Sequence, residues 1–204
     1  MKFVIVGYGK FGRIALQRLS TIHKGVDILV VELSGARLRD VPKHVTVLEG
    51  NAPEIIAHAA MLQDDDVIIP MVPFNLAAEY VLRLHSASEK VPLPKGIAEL
   101  VPNPYLVDEY NLACSRARFL CPDDCPEGEC CTITGEFRHP LYGELAEISV
   151  PDYTLLVQRS RQILPGIGGY SFKSLKELDE QIRSGAFIIA TSCKCHAILT
   201  SVRI

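Results

Sequence analysis

The chain has 204 residues, 48% of them hydrophobic and 22% charged, with a formal net charge of −3. That composition supplies a substantial core and excludes a disordered chain, while the slight negative charge argues against nucleic acid or an anionic membrane surface as the main partner. The N-terminus runs straight into a short strand rather than a signal peptide, and no apolar run is long enough to span a bilayer, so a cytoplasmic chain is expected.

Phe3 to Val6 is a β-branched apolar run that reads as a strand buried on both faces. Gly7, Gly9 and Gly12 follow as G-x-G-x-x-G, with Lys10 and Phe11 between the last two glycines. A helix comes next, with Phe11, Ala15, Leu19 and Ile22 spaced along one face. A tight turn, a close backbone approach and a close helix–strand contact each call for a residue without Cβ. The helix start then offers free N–H groups and the positive end of its dipole to a pyrophosphate. Asp27 to Val31 is a second buried strand closed by Glu32, a carboxylate placed to accept hydrogen bonds from ribose hydroxyls.

On Gly7, Gly9, Gly12 and Glu32, roughly the first hundred residues resemble the NAD(P)-binding Rossmann domains. The likeness is to the nucleotide-sensing type found in potassium-transport regulators and to saccharopine-reductase-like enzymes. It implies a bound dinucleotide and names no reaction. Glu32 favours NAD, while Arg37 and Arg39 are placed where an arginine could meet the 2′-phosphate of NADP.

Val45 to Leu48 reads as a third strand, and Asn51-Ala-Pro-Glu54 as a capped helix start with Ile55, Ala59 and Leu62 on its buried side. Val67 to Val72 is a fourth buried strand. Ligands of a doubly wound sheet bind at the carboxyl ends of its strands, so Met71, Pro73, Phe74 and Asn75 are expected beside a nicotinamide. Val91 to Pro94 reads as an irregular edge strand, and Asn103-Pro104 as the start of a helix running to about Phe119.

Seven cysteines follow, none of them in the first 113 residues. Cys114 falls in the expected helix and reads as a small buried hydrophobe. Cys121, Cys125, Cys130 and Cys131 crowd a loop stiffened by proline, and Cys193-x-Cys195-His196 ends a late strand. Clustered thiols in a reducing compartment point to metal or redox chemistry. Candidate ligands are Cys121, Cys125, Cys130, Cys131, Cys193, Cys195 and His196. One of the adjacent pair Cys130 and Cys131 is expected to stand aside. An iron–sulfur cluster, structural zinc, thiol chemistry and unconnected cysteines all remain open, since neither spacing matches the usual zinc or ferredoxin patterns.

Short strands are expected around Gly135 and Gly143, and a better one over Tyr153 to Gln158. Pro165 to Gly169 reads as a loop, Ser174-x-x-Glu177 as a capping box, and Ala186 to Thr191 as a strand. The expected architecture is α/β: a Rossmann-like doubly wound parallel sheet over residues 1–119, then a smaller α+β cysteine-bearing part over 120–204. The expected function is an NAD(P)-linked oxidoreductase with a cysteine-ligated iron–sulfur or zinc centre. A non-enzymatic nucleotide or redox sensor is the alternative. Expected partners are a dinucleotide and a small-molecule substrate, without nucleic acid or a membrane span; a homo-oligomer stays open. No acid or base of a hydride transfer stands out; Asn75, Tyr170 and His196 are candidates as polar residues at loop positions.

Overall fold

A computed structural model describes residues 1–204 as a mixed α/β protein with two mixed sheets and six α-helices. The first strand, β1 (Phe3–Val6), is buried at every position and pairs in parallel with β2 (Ile28–Glu32) and later with β4 (Val67–Pro70). Between β1 and β2 runs α1 (Lys10–Ile22). It buries Gly12, Ala15, Leu16 and Leu19, whereas Phe11 and Ile22 are exposed, so the buried stripe is rotated from the expected one. The contact of Gly12 with the turn pulls that face inward.

The short α2 (Gly35–Leu38) leads to β3 (Thr46–Glu49), parallel to β2, and α3 (Ala52–Ala57) leads on to β4. Asn51 caps α3, its side chain accepting from the Glu54 N–H, with Pro53 in the first turn. The helix ends before Ala59 and Leu62, expected on its buried side, and Ile56 fills that role instead. After β4, Asn75 caps α4 (Leu76–Leu84).

The second sheet begins with β5 (Glu89–Lys90), which pairs with the last strand. The edge strand expected over Val91 to Pro94 is therefore displaced to the two residues before it. A 3-10 turn at Ile97–Leu100 precedes β6 (Pro104–Leu106) and β7 (Asn111–Ser115), an antiparallel hairpin where a helix to Phe119 was expected. Asp108 decides this. Its Oδ1 accepts from the Tyr110 and Asn111 N–H groups, both at 2.8 Å, and folds the chain back on itself. Residues 117–131 then have no regular structure apart from an isolated bridge between Cys130 and Phe137. Helix α5 (Leu141–Ala146) takes the place of the short strands expected around Gly143.

Strand β8 (Tyr153–Arg159) lies in the second sheet, but β9 (Arg161–Leu164) and β10 (Ile167–Ser171) form a hairpin whose second strand is antiparallel to β4. That corrects the loop expected at Pro165 to Gly169: only Pro165 and Gly166 turn. Helix α6 (Phe172–Asp179) returns the chain to β11 (Ala186–Ser192), which pairs with β8 in parallel and with β12 (His196–Arg203) antiparallel. The sheet orders are β3-β2-β1-β4-β10-β9 and β6-β7-β12-β11-β8. Ladders in both sheets join strands from before residue 119 to strands from after it: β7 to β12, and β4 to β10.

The alternation of side chains along the strands sorts the core into layers. Phe3 and Ile5 face one cluster with α1, while Val4 and Val6 face another with α3, α4 and α6. That middle layer also receives Phe187 and Ile189 of β11, whose neighbours Ile188 and Ala190 turn to a third cluster against α5. The helices α3, α4 and α6 thus lie between the two sheets. No helix is long and apolar enough to cross a membrane.

Candidate functional site

The carboxyl ends of β1, β2 and β4 open on a cavity of about 700 Å³, bordered by Gly7, Gly9, Glu32, Asn51, Pro73 and Phe74. The three glycines of the turn meet different surroundings. Gly7 has φ of +92°, and a Cβ there would lie 2.6 Å from the Met71 carbonyl. A Cβ on Gly12 would lie 2.0 Å from the Gly7 carbonyl. Gly9 has an ordinary φ of −78°, and a Cβ there would meet nothing within 4 Å. It borders the cavity and stands at the start of α1, whose first turn no side chain caps.

Glu32 is buried, at 5% exposure. Its Oε2 accepts from the Tyr8 N–H at 2.7 Å and its Oε1 from the Ser34 N–H at 3.0 Å, so the carboxylate at the end of β2 also pins the glycine turn. Burial raises its pKa, but the two N–H groups and the Arg37 guanidinium, 3.6 Å away, outweigh that and hold it below the usual 4.5. Arg37, Arg83 and Lys90 add positive charge to the walls, each beside a carboxylate: Glu32, Glu54 and Glu79.

Not every residue expected here faces the cavity. Lys10 pairs with Asp123 at 3.1 Å, and Phe11 borders a different cavity, beside the cysteines. Asn75 is 1% exposed and fully engaged: Nδ2 donates to the Ile189 and Ile198 carbonyls at 2.8 and 3.3 Å, and Oδ1 accepts from the Thr191 hydroxyl at 2.7 Å. It joins the end of β4 to the second sheet. Tyr170 lies within β10 rather than in a loop, buried, with no partner for its hydroxyl. Burial raises its pKa out of reach of acid–base work.

The two cysteine groups meet. One cavity of about 390 Å³ is bordered by Cys121, Cys125, Cys193, Cys195 and His196, and a smaller one of about 180 Å³ by Cys121, Cys125, Cys131, Cys195 and His196. Cys130 is exposed and borders neither; Cys114 is buried in β7. Cys121 Sγ stands 3.7 Å from His196 Nε2, and Cys193 Sγ 3.7 Å from His196 Nδ1. The turn between β11 and β12 shapes this end: Cys193 Sγ accepts from the N–H groups of Cys195 and His196 at 3.5 and 3.3 Å. The opposite loop is held by the Lys194 N–H donating to Glu127 Oε1 at 2.5 Å and by Gln162 Nε2 donating to the Cys125 carbonyl at 2.7 Å. No group of three or more His, Cys, Asp or Glu side chains stands in an arrangement that holds a metal ion.

Arg138 lies among these thiols, 6% exposed, with Nη2 donating to Cys125 Sγ at 3.5 Å and Nη1 without a partner. The cysteines are not equivalent. The Thr134 and Ile133 N–H groups, with Arg138 behind them, bring the Cys131 thiol down to about 6. Burial pushes Cys193 up to about 12 and also raises Cys121 and Cys195, whose neighbouring cysteines add to the effect. Burial, helped by Arg138, lowers the His196 imidazole. The sequence does not single out Arg138, which falls in an expected strand just after the first cysteine group and far from the second. The one cue was a lone arginine after a loop rich in acids and thiols. Arg83 and Lys90 carried no cue, since helix and strand ends are commonly basic.

No curated protein and no solved structure matches the chain. A family described as "Uncharacterized protein, C-terminal domain" matches residues 73–204, from the loop after β4 through both cysteine groups. The chain belongs to that family, AF_1314_C.

Proposed function

We propose that the chain is an NAD(P)-binding redox protein, with the dinucleotide lying across the carboxyl ends of β1, β2 and β4. The observation that carries this reading is Gly9. Gly7 and Gly12 are glycines for reasons internal to the chain. At Gly9 neither the backbone nor any neighbour calls for a missing Cβ, and the space it leaves open belongs to the cavity. A pyrophosphate on the uncapped start of α1 would use that space. The parallel order β3-β2-β1-β4 suits the same reading, since Rossmann-like sheets bind nucleotides at this end.

In this reading the first-turn N–H groups of α1 hold the pyrophosphate and Glu32 accepts from the adenosine ribose. Each carboxylate oxygen keeps a lone pair beyond its present hydrogen bond. Pro73 and Phe74 flank the nicotinamide end. Glu32 favours NAD over NADP because a buried anion repels a 2′-phosphate. The nicotinamide supplies the hydride chemistry, and the chain orients it and excludes water.

A non-enzymatic sensor is the second reading. What favours it is that the cavity's polar side chains already have partners: Glu32 holds the turn, and Glu79 pairs with Lys90. Titration calorimetry with NAD, NADH, NADP and NADPH tests the binding claim. We expect saturable binding with NAD(H) the tighter pair; no binding of any of the four refutes it. Oxidation of NADH coupled to a dye acceptor separates enzyme from sensor.

A further inference from the structure

We propose that Cys121, Cys125, Cys195 and His196 bind one zinc ion at the point where the loop after β7 meets the turn between β11 and β12. The two cysteine-lined cavities lie on either side of this point. The side chains bordering both are Cys121, Cys125, Cys195, His196 and Arg138. Four of these are metal donors, three sulfurs and one nitrogen. That set matches structural zinc, whose sites are tetrahedral and closed and include three cysteines with one histidine; iron–sulfur clusters are most often held by four thiolates.

The 3.7 Å between Cys121 Sγ and His196 Nε2 is the edge of such a site. With Zn–S of about 2.3 Å and Zn–N of about 2.0 Å at a tetrahedral angle, the edge is about 3.5 Å. The other ring nitrogen of His196 faces Cys193 Sγ, a partner able to fix the ring with Nε2 directed at Cys121. Cys125 and Cys195 complete the set once the ion draws them in. A cysteine Sγ moves by about 3 Å when χ1 passes from one staggered well to the next, so rotation of these two side chains is the change the site requires.

The placement of Arg138 is the second observation. Arg138 is 6% exposed and forms no ion pair with any carboxylate; its hydrogen-bond partner is the sulfur of Cys125. It is the one side chain bordering both cavities that carries no metal donor atom, and it stands against the four that do. Arg138 then donates to a metal-bound sulfur from outside the coordination sphere. The ion would cross-link an irregular loop to the β11–β12 turn, where few backbone ladders hold it.

The test uses the full chain, stripped with a chelator and reloaded with Zn²⁺ or Co²⁺. We expect one equivalent retained through gel filtration. The Co²⁺ form should show the strong visible bands of a tetrahedral site with thiolate-to-metal charge transfer. Cys125→Ser and His196→Gln should weaken retention by about tenfold or more, while Cys130→Ser leaves it unchanged. The proposal is overturned by no retained metal, a six-coordinate Co²⁺ spectrum, iron with acid-labile sulfide, or equal loss in Cys130→Ser. If Cys125→Ser does not fold, the Co²⁺ spectrum of the unmodified chain decides alone.

Discussion

Gly12 and Glu32 show how single residues shape the turn before any ligand arrives. A Cβ at position 12 would sit 2.0 Å from the Gly7 carbonyl, so Gly12→Ala has to push α1 off β1. Forcing a methyl into such a contact costs about 3 kcal/mol. The denaturant midpoint of the variant should drop accordingly; an unchanged midpoint would mean that the helix and the turn are not in contact. Glu32 acts through charge. Its folded pKa lies below 4.5, so its contribution to stability is fully present above that pH and is lost as pH falls through the lower folded value. Glu32→Gln keeps the shape but turns an N–H donor toward Tyr8 or Ser34, at a cost of about 2 kcal/mol near neutrality. The gap between the two proteins should close as pH falls below the ordinary carboxylate range. A gap that persists at low pH would contradict the role given to the charge. Both residues were legible in the sequence because their requirements are local, a missing Cβ and a carboxylate at a strand end. Arg138 was not, because its burial depends on two segments far apart in the chain.

At the scale of elements, β1, β2 and β4 could be read directly, since a strand inside a covered parallel sheet is a continuous apolar run, while β3 lies largely exposed at the sheet's edge. The hairpin of β6 and β7 could not. Leu106, Tyr110 and Ala113 happen to fall at helical spacing, and the competing signal was the turn chemistry of Asp108 and Asn111. Strand β7 also owes its form to β12, more than eighty residues further along, so no local window contains its reason. The hairpin of β9 and β10 was hidden in the same way. Its two glycines look like loop residues, yet Gly169 is where β10 passes β4, and a Cβ there would lie 2.6 Å from the Ile68 carbonyl. Close approach of two backbones, rather than flexibility, explains that glycine.

The whole molecule is held together by few polar contacts between its layers, and Asn75 is the most demanding of them. It caps α4, donates to carbonyls of both β11 and β12, and accepts from Thr191, all while buried. Asn75→Ala removes the cap and the bonds to the Ile189 and Ile198 carbonyls, and takes from the Thr191 hydroxyl its partner. The cost should be about 3 kcal/mol, read as a lower denaturant midpoint. Thr191→Val removes only one of these bonds and should cost less; equal losses would mean that the junction is not organised by Asn75. The same connection places the cavity at the glycine turn one loop away from β11, which Cys193 follows directly. Lys10 and Arg18 of α1 reach the cysteine loop directly, bonding to Asp123 and to the Asp123 and Pro165 carbonyls. The glycine turn and the thiol cluster are therefore two ends of one set of contacts.

The most direct measurement of the central claim is NADH titration of Gly9→Ala beside the unmodified chain, with thermal melts of both. A methyl at Gly9 meets no atom of the protein, and its capping and chain-entropy effects offset each other to within about 1 kcal/mol. The account predicts nearly equal melting temperatures with NADH affinity reduced by about tenfold or more, a loss of about 1.4 kcal/mol. Equal NADH affinity in both proteins would contradict it.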